Sequence, residues 1–390
     1  MILLLVGLVG APNKGKSTIF SAMTANEVQI ADYAFTTIKP NLGVAYASRR
    51  CAEIDLGIKC RPRNSVCKNG FRQIPINIID VAGLVPGAHL GKGRGNQFLN
   101  DLINAEVIIQ VVDISGKTDM NGAGCEGSDP AVEVEMIRNE MAAWLGGIIT
   151  SHISSLSNRS DGDVALLEIL SGLKSDIDQI RRAASANSLP LSGISWKPEK
   201  ARAFAKSLLK ENKPLIIAAN KMDRGREEDL EGLRKKLSGV EVIPCSGAIE
   251  LALVKAANKG MIDYVSGMNS FNIVKEASSE QKSALSYMQG YIKDHGGTGI
   301  QALLDKAVFG TLDNLVVYPV EDESHYADHS GNILPDAILM RKGSTAYDLA
   351  AKIHTDIAKG MKYAIDARTK MRLQKDYVLK DGDVIKIVTH

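Results

Sequence analysis

The sequence predicts an open, mostly parallel α/β sheet, interrupted by a helical insertion and followed by a small β-rich domain. Three observations predict this arrangement. An apolar run at 2–9 leads directly into the glycine-rich string G-A-P-N-K-G-K-S at 10–17. Two further apolar runs each end in an aspartate, Asp80 and Asp113. Asn220 follows Asp80 by 140 positions, which is far more chain than one crossover between strands needs.

The glycine-rich string matches the phosphate-loop pattern G-x-x-x-x-G-K-[ST] in full. Gly10 and Gly15 allow the backbone to curl, so that its N–H groups point at phosphate oxygens. Lys16 is expected to reach the β- and γ-phosphates, and the Ser17 hydroxyl to bind Mg²⁺. A helix starting near Gly15 adds its positive N-terminal end. The residues predicted to contact the nucleotide here are Asn13, Lys14, Gly15, Lys16, Ser17 and Thr18.

A second string, Asn220-Lys221-Met-Asp223, indicates which nucleotide binds, because it follows another apolar strand signal at 213–219. The Asp223 carboxylate can accept hydrogen bonds from guanine N1–H and the 2-amino group, and adenine has neither donor there. The string Ser246-Gly247-Ala248 follows the next strand, where a backbone N–H would contact the guanine 6-oxo group. GTP and GDP are therefore the predicted ligands.

The magnesium and switch residues are predicted from two further segments. In Asp80-Val-Ala-Gly83, the Asp80 carboxylate can hold Mg²⁺ through water, and the Gly83 N–H can sense the γ-phosphate. In the segment 33–43, Thr37 is expected to bind Mg²⁺ and the γ-phosphate together, with Thr36 as the alternative. Lys16, Thr37 and Gly83 form the predicted catalytic set.

The position after Gly83 carries Leu84, where many GTPases have a glutamine that orients the attacking water. Leucine cannot hydrogen-bond to water, so catalysis must use another group, a monovalent cation or a partner. Asn13 is therefore a candidate K⁺ ligand, the alternative being a structural side chain that bonds to its own loop. The glycine-rich run 83–95 is expected to act as a switch, on which His89, Lys92 and Arg94 are more readily explained as solvated than as phosphate ligands.

The segment between Asp113 and Asn220 has helical periodicity. Two apolar stripes could pair as an antiparallel hairpin with its tip at 155–163, and a third helix is expected at 198–211. The alternative is that these helices pack on the main domain. The stripes are Val134, Ile137, Met141, Trp144 and Ile148, and then Leu166, Leu170, Leu173, Ile177 and Ile180.

Composition limits the class of protein. Of the 390 residues, 45% are apolar and 24% charged, with a net charge of +2 and five cysteines, which indicates an ordinary folded chain with reduced thiols. We therefore expect a cytoplasmic, monomeric protein with no membrane partner.

Two basic segments could contact RNA. The first also carries Cys51, Cys60 and Cys67, which form a poor zinc signature because no fourth ligand is evident nearby. A solvated face is at least as good an explanation of the first segment. The basic residues are Arg49, Arg50, Lys59, Arg61, Arg63, Lys68 and Arg72 in the first, and Lys352, Lys359, Lys362, Arg368, Lys370, Arg372 and Lys375 in the second.

These motifs resemble those of the Obg-related, translation-factor-class P-loop GTPases, and of their YchF-like subgroup in particular. The strings that carry the resemblance are G-A-P-N-K-G-K-S-T (10–18), Y-A-F-T-T-I-K-P-N-L-G (33–43) and the glycine-rich run at 80–99. The resemblance implies a P-loop NTPase sheet with a coiled-coil-like insertion, a C-terminal ubiquitin-like β-grasp (TGS) domain, and association with ribosomes. Lys14 departs from the family, which usually has valine there.

The resulting domain prediction is a G domain at 1–124 and 212–311, a helical insertion at 125–211 and a TGS-like domain at 312–390. The predicted function is a GTP-hydrolysing switch with slow intrinsic turnover, associated with ribosome or RNA. Many YchF proteins have lost the guanine-reading motif and prefer ATP, so an ATPase is one alternative. A nucleotide-gated RNA-binding module with incidental hydrolysis is another.

Overall fold

The computed structural model describes residues 4–25, 41–81, 87 and 103–389. The chain forms two compact units. The large unit combines 4–22 with 78–303, and the small unit combines 23–77 with 304–390. Each unit is therefore built from two separate stretches of sequence.

The secondary structure of the described residues alternates strands and helices. The strands are β1 (Leu5–Val9), β2 (Leu42–Arg50), β3 (Val66–Lys68), β4 (Phe71–Asp80), β5 (Val107–Asp113), β6 (Leu215–Asn220), β7 (Glu241–Pro244), β8 (Ile262–Asp263), β9 (Asn272–Ile273), β10 (Asn314–Val320), β11 (Ile338–Arg341), β12 (Tyr363–Asp366), β13 (Arg372–Leu373) and β14 (Val384–Val388). The helices are α1 (Lys16–Thr24), α2 (Ala52–Leu56), α3 (Pro130–Ser151), α4 (Ile153–Leu156), α5 (Gly162–Ile169), α6 (Ile177–Ala186), α7 (Pro198–Asn212), α8 (Glu227–Lys236), α9 (Gly247–Asn258), α10 (Ser279–His295), α11 (Ile300–Asp305), α12 (Ala346–Ile353) and α13 (Thr355–Gly360).

The large unit is built on a parallel sheet, which confirms the predicted fold class. Strands β1, β5, β6 and β7 are neighbours in that order, and every pair is parallel. The end of β4 lies beside β1, since the Val81 N–H donates to the Leu8 carbonyl at 3.1 Å. All of β5 is buried, as expected for a parallel strand covered on both faces. Asp113 is in register with Asn220, so the polar strand ends meet at one edge of the sheet.

Helix α3 serves both the sheet and the helical insertion. Its N-terminal half packs on the sheet, where Val134 and Ile137 join the buried side chains of β5. Its C-terminal half, with Leu145 and Ile149, joins a helical core that includes Phe204 of α7. The two alternatives for this region, an insertion or helices packed on the main domain, therefore each describe one half of α3.

The second apolar stripe does not form one continuous helix, so the predicted two-helix hairpin is wrong in this detail. The stripe is divided into α5, a 3₁₀ turn at Ser171–Leu173 and α6. A capping box between Asp176 and Gln179 starts α6 afresh. Helix α3 instead runs along α7, which spans the predicted third helix. A Cβ on Gly146 would lie 3.0 Å from the Arg202 backbone, so these two helices approach closely.

The small unit contains a five-stranded sheet in the order β11-β10-β14-β12-β13. The central pair β10–β14 is parallel and the other pairs are antiparallel. Helix α12 covers one face, where Leu349 packs among buried residues such as Leu315 and Ile385. The stretch 41–77 adds β2, α2 and the β3–β4 hairpin to this unit. Among the described residues, no helix has the length and apolar character needed to span a bilayer.

Candidate nucleotide site

The phosphate-loop string lies between β1 and α1, at the carboxyl edge of the sheet. Gly10 has a φ of +156°, and a Cβ there would lie 2.5 Å from the Val111 carbonyl oxygen of β5. Gly15 has a φ of +89°, and a Cβ there would lie 2.3 Å from Nδ2 of Asn220. Both positions require glycine, because the loop is pressed against the ends of β5 and β6.

The three residues predicted to bind phosphate and magnesium do meet. The Lys16 ammonium pairs with the Asp80 carboxylate, and the Ser17 hydroxyl donates to Asp80 Oδ2 at 2.9 Å. The side chains of Lys16 and Asp80 are 11% and 12% exposed, so both remain accessible from solvent. A hydroxyl and a carboxylate are the hard oxygen ligands that Mg²⁺ prefers, so the donor set fits this ion.

The side chain of Lys14 is committed to the protein, in contrast to its predicted contact with the nucleotide. Its Nζ lies 2.8 Å from Glu133 Oε2 and donates to the Thr118 carbonyl at 2.8 Å. Lys14 is 1% exposed and Glu133 2% exposed. Burial raises the pKa of the Glu133 carboxyl, and Lys14 opposes that rise. Any contact of Lys14 with phosphate can therefore come only from its backbone N–H.

Asn220 joins the phosphate loop to the loop after β7. Its Nδ2 donates to the Lys14 carbonyl at 2.8 Å, and its Oδ1 accepts from the Gly247 N–H at 3.0 Å. Lys221, in the left-handed conformation with φ +63°, continues the connection. Its Nζ donates to the Asn13 carbonyl and to Asp113 Oδ2, both at 2.9 Å. The phosphate loop and the N-K-M-D string thus form one hydrogen-bonded assembly.

Asp223 is held in place beside this assembly. Its Oδ1 accepts from the Ser246 hydroxyl at 2.6 Å, and its side chain is 12% exposed. Ser246 is the N-cap of α9, where its Oγ accepts from the Ile249 N–H at 3.4 Å. The carboxylate is therefore oriented by a fixed helix terminus while it remains accessible.

The backbone amides predicted to read the guanine 6-oxo group are used within the protein. The Ser246 N–H donates to the Thr298 carbonyl at 2.9 Å, and the Gly247 N–H donates to Asn220 Oδ1. This corrects the predicted roles of Ser246 and Gly247. The physical reason is that both amides tie the 246–247 turn to its neighbours, so Ser246 contributes its hydroxyl to the site instead.

Asn13 has a φ of +60°, and its Nδ2 donates to the Gly122 carbonyl at 2.8 Å. The bond goes to the turn between β5 and α3, rather than to its own loop as the structural alternative expected. This hydrogen bond uses the amide nitrogen, whereas a cation would bind the amide oxygen.

Asp113 and Glu133 also belong to this site, although no role was predicted for either of them. Asp113 accepts hydrogen bonds from Ser115, Thr118 and Lys221. Burial alone would raise the pKa of Asp113, but these hydrogen bonds lower it. Its place at the end of a buried strand was the available signal. Glu133 carried no such signal, because its partner Lys14 is distant in sequence.

Several predicted residues lie outside the described residues, namely Thr36, Thr37, Gly83, Leu84, His89, Lys92 and Arg94. Within the glycine-rich run, Gly87 is described, and its N–H donates to Glu140 of α3 at 2.9 Å.

Three of the basic residues of the first segment, Arg49, Arg50 and Arg63, form ion pairs within the small unit. Arg49 pairs with Asp381 at 2.7 Å, and Arg63 lies 3.5 Å from Asp328. Arg72 is fully buried. In the second basic segment, Arg372 stacks 3.9 Å above the centre of the Tyr363 ring.

Comparison with known proteins places three family models along the chain. They are the Obg-like GTPase YGR210-like, G4 motif-containing domain at 218–322, the 50S ribosome-binding GTPase at 5–145 and the TGS domain at 330–389. The chain is 46% identical to a GTP-binding protein of Methanocaldococcus jannaschii over 392 residues, covering 99% of both. It is 35% identical to the solved GTP-binding protein of Pyrococcus horikoshii OT3, with a TM-score of 0.80 and 99% and 100% of the chains covered. It is 28% identical to the ribosome-binding ATPase YchF of Mycoplasma genitalium, covering 98% of both chains.

Proposed function

Because this chain belongs to the YchF-like subgroup of the Obg-related P-loop GTPases, we propose that it binds GTP with Mg²⁺ and hydrolyses it to GDP and phosphate. The observation that carries the choice of GTP is the Asp223 carboxylate. It is oriented by the Ser246 hydroxyl at 2.6 Å, and Asn220 connects the turn that carries Ser246 to the phosphate loop.

The base is recognised by Asp223, which accepts from guanine N1–H and the 2-amino group. Since the Ser246 and Gly247 amides are engaged elsewhere, we assign the 6-oxo group to the Ala248 N–H in the first turn of α9. The first amides of a helix have no intrahelical acceptor, so this donor is suited to a ligand oxygen.

The phosphates are bound by the loop amides and by the Lys16 ammonium. Ser17 and Asp80 would hold Mg²⁺, Asp80 through water, with Thr37 as the third proposed ligand. When bound, Mg²⁺ would supply positive charge that offsets the negative charge of the phosphates. The Gly83 N–H senses the γ-phosphate, so hydrolysis releases the two switch segments at 33–43 and 83–95.

The assignment of guanine to Asp223 is tested by replacing one carboxylate oxygen, which accepts hydrogen bonds, with an amide nitrogen, which donates them. Asp223→Asn presents an amide N–H₂ where xanthine carries an oxygen, so this variant should lose GTP and gain xanthosine triphosphate. Wild-type protein should bind GTP and GDP at least about tenfold tighter than ATP, which is about 1.4 kcal/mol.

The matched control is Asp229→Asn, which changes an exposed carboxylate paired with Arg226 on α8 and should leave all affinities unchanged. If the wild-type protein binds ATP as tightly as GTP, the assignment of GTP is wrong and the ATPase alternative is favoured.

We further propose that K⁺ stimulates hydrolysis through the amide oxygen of Asn13, because Leu84 cannot orient water. Intrinsic turnover should be slow, and faster in KCl than in NaCl of the same concentration. Asn13→Asp keeps an oxygen ligand and should keep the stimulation, whereas Asn13→Ala should lose it. Equal turnover of the wild-type protein in the two salts would exclude this role.

The partner we propose is the large ribosomal subunit, from the family model and from the name of the Mycoplasma relative. Co-sedimentation with 50S subunits should be stronger with a non-hydrolysable GTP analogue than with GDP, and weaker at high salt. Binding that ignores the nucleotide would favour the second candidate, an RNA- or ribosome-binding module with incidental hydrolysis. The domain limits 1–124, 125–211, 212–311 and 312–390, and a monomeric state, remain part of this proposal.

A further inference from the structure

Three cysteines and a glutamate of the small unit converge on one point. The ligand atoms of Cys51, Glu53, Cys60 and Cys67 all lie within 4.8 Å of one another. Cys51 is 0% exposed, Cys60 7% and Glu53 9%. Glu53 thus supplies the fourth ligand that was not evident from the sequence. It lies on the short helix α2, which the spacing of the cysteines does not predict.

Local structure explains how four groups so close in sequence come together. Cys51 is the N-cap of α2, and Glu53 lies in the first turn of that helix. Gly57 ends α2 in the left-handed conformation, with φ +64°, and turns the chain back towards Cys60. Cys67 lies on β3, in the hairpin with β4.

The four groups already contact one another. Glu53 Oε1 lies 3.0 Å from Cys67 Sγ, and Glu53 Oε2 accepts from the Cys60 N–H at 2.9 Å. A tetrahedral zinc ion with Zn–S distances of about 2.3 Å has ligand-to-ligand edges of about 3.8 Å. The observed separations therefore need only small side-chain rotations to surround an ion.

A buried arginine offsets part of the charge of such a site. Three thiolates and a carboxylate around Zn²⁺ carry a net charge of −2. Arg72 is fully buried, and its Nη2 lies 3.6 Å from Cys51 Sγ. The same guanidinium donates to Ser65 Oγ at 2.9 Å and to the Leu334 carbonyl at 3.0 Å, which fixes its position. Outer partners of this kind orient and tune metal ligands.

We propose that Cys51, Glu53, Cys60 and Cys67 bind one structural Zn²⁺ ion. Thiolate ligands select zinc over magnesium or calcium, and four protein ligands close the coordination shell, as in structural rather than catalytic sites. All three cysteines are free thiols, and an odd number cannot be consumed by disulfides among themselves. Each thiol that binds as thiolate releases its proton to solvent.

The ion would fix the loop that joins α2 to β3. That loop is tied to the rest of the small unit by backbone hydrogen bonds, from Arg61 N–H to the Ile333 carbonyl at 2.8 Å and from Arg63 N–H to the Pro335 carbonyl at 2.9 Å. Zinc binding and the packing of 333–335 are therefore coupled. Removal of the metal should loosen both the α2–β3 loop and its packing against 333–335.

The first test is the metal content of the full chain, purified with reductant and without chelator, by inductively coupled plasma mass spectrometry. We expect about one zinc per chain in the wild-type protein and loss of that zinc in Cys60→Ser. The control Cys125→Ser, a half-buried cysteine outside the cluster, should keep it. Metal-free wild-type protein with reduced thiols, or iron in place of zinc, would overturn the proposal.

The second test uses Co²⁺ titrated into the metal-stripped full chain, and it remains informative if Cys60→Ser fails to fold. Tetrahedral thiolate coordination gives an intense near-ultraviolet charge-transfer band and strong visible bands at one equivalent. Glu53→Gln keeps the three thiols and the shape of the side chain, and should weaken zinc binding about tenfold or more against a competing chelator. An octahedral cobalt spectrum, or unchanged zinc affinity in Glu53→Gln, would exclude the four-ligand site.

Discussion

The buried ion pair behind the phosphate loop gives the sharpest stability prediction. Glu133→Gln removes one charge and keeps the shape of the side chain. The amide oxygen can still accept from the Ala11 N–H, which lies 3.3 Å from Glu133 Oε1. The change therefore isolates the loss of the carboxylate facing Lys14.

The expected magnitude follows from the burial of both partners, whose side chains are 2% and 3% exposed. Leaving a buried charge without its partner costs about 3–5 kcal/mol. The Thr118 carbonyl at 2.8 Å still accepts from Lys14 and offsets part of this cost. Releasing the proton of an ordinary lysine, with a pKa of about 10.4, costs about 4 kcal/mol at pH 7.5 and sets the upper limit. We expect a loss of about 3–4 kcal/mol.

Urea unfolding monitored by tryptophan fluorescence measures this loss. The chain has two tryptophans, Trp144 and Trp196, and both pack in the helical core of the large unit. The signal therefore follows the unit that contains the pair.

A double variant distinguishes the cost of leaving one charge unpaired from the cost of replacing the two buried side chains. Lys14→Met with Glu133→Gln removes both charges and should recover most of the stability lost in the single variant, because no unpaired charge remains. A loss below about 1 kcal/mol in Glu133→Gln alone would refute the argument that this carboxylate neutralises Lys14 in a solvent-excluded site.

Two further predictions concern the helical insertion and the base loop. Gly146→Ala should be about 1–3 kcal/mol less stable than the control Gly147→Ala in the same unfolding assay. The reason is that a Cβ at 146 would lie 3.0 Å from the Arg202 backbone, whereas a Cβ at 147 would meet nothing within 4 Å. Equal stabilities of the two variants would contradict the close contact between the helices. Lys221→Met should weaken GTP binding roughly ten- to hundredfold, since hydrogen bonds to charged groups contribute about 1.5–3 kcal/mol, while the exposed Lys235→Met on α8 should not change it.

The core of the nucleotide site could be predicted from sequence because each part is encoded by a contiguous string at a strand end. Lys16 and Ser17 follow β1, Asp80 ends β4 and Asn220 ends β6. Parallel strands bring their carboxyl ends to one edge, so these residues had to meet once the sheet was predicted.

The rest depends on contacts between residues far apart or on short irregular segments. Lys14 fits the phosphate-loop pattern at a variable position, and nothing in the string shows that Glu133 will approach it. Glu53 was not predicted as a ligand, because only the folded turn at Gly57 brings Cys60 back to it.

The broken second stripe shows a different limit. Apolar spacing from 166 to 180 suits one helix, but it takes no account of local capping. Asp176 and Gln179 are three residues apart, and their capping box begins a new helix. The N-cap signature of Asp176 and Gln179 is present in the sequence, and apolar periodicity alone does not detect it.

Because the small unit is built from separate stretches of sequence, its two main parts are synthesised at different times. Its first stretch ends at Asn77 and its second begins at Leu304, so the 226 residues from 78 to 303 emerge between them. At about 5–20 residues per second, the early stretch waits roughly 10–45 s before the second stretch, which carries β10 and β14, begins to emerge. During that time the apolar side chains of Ala52 and Ile74, which finally pack with Val316 and Tyr318, lack their partners. Nascent chains stalled before residue 304 should therefore be most vulnerable to proteases within 41–77.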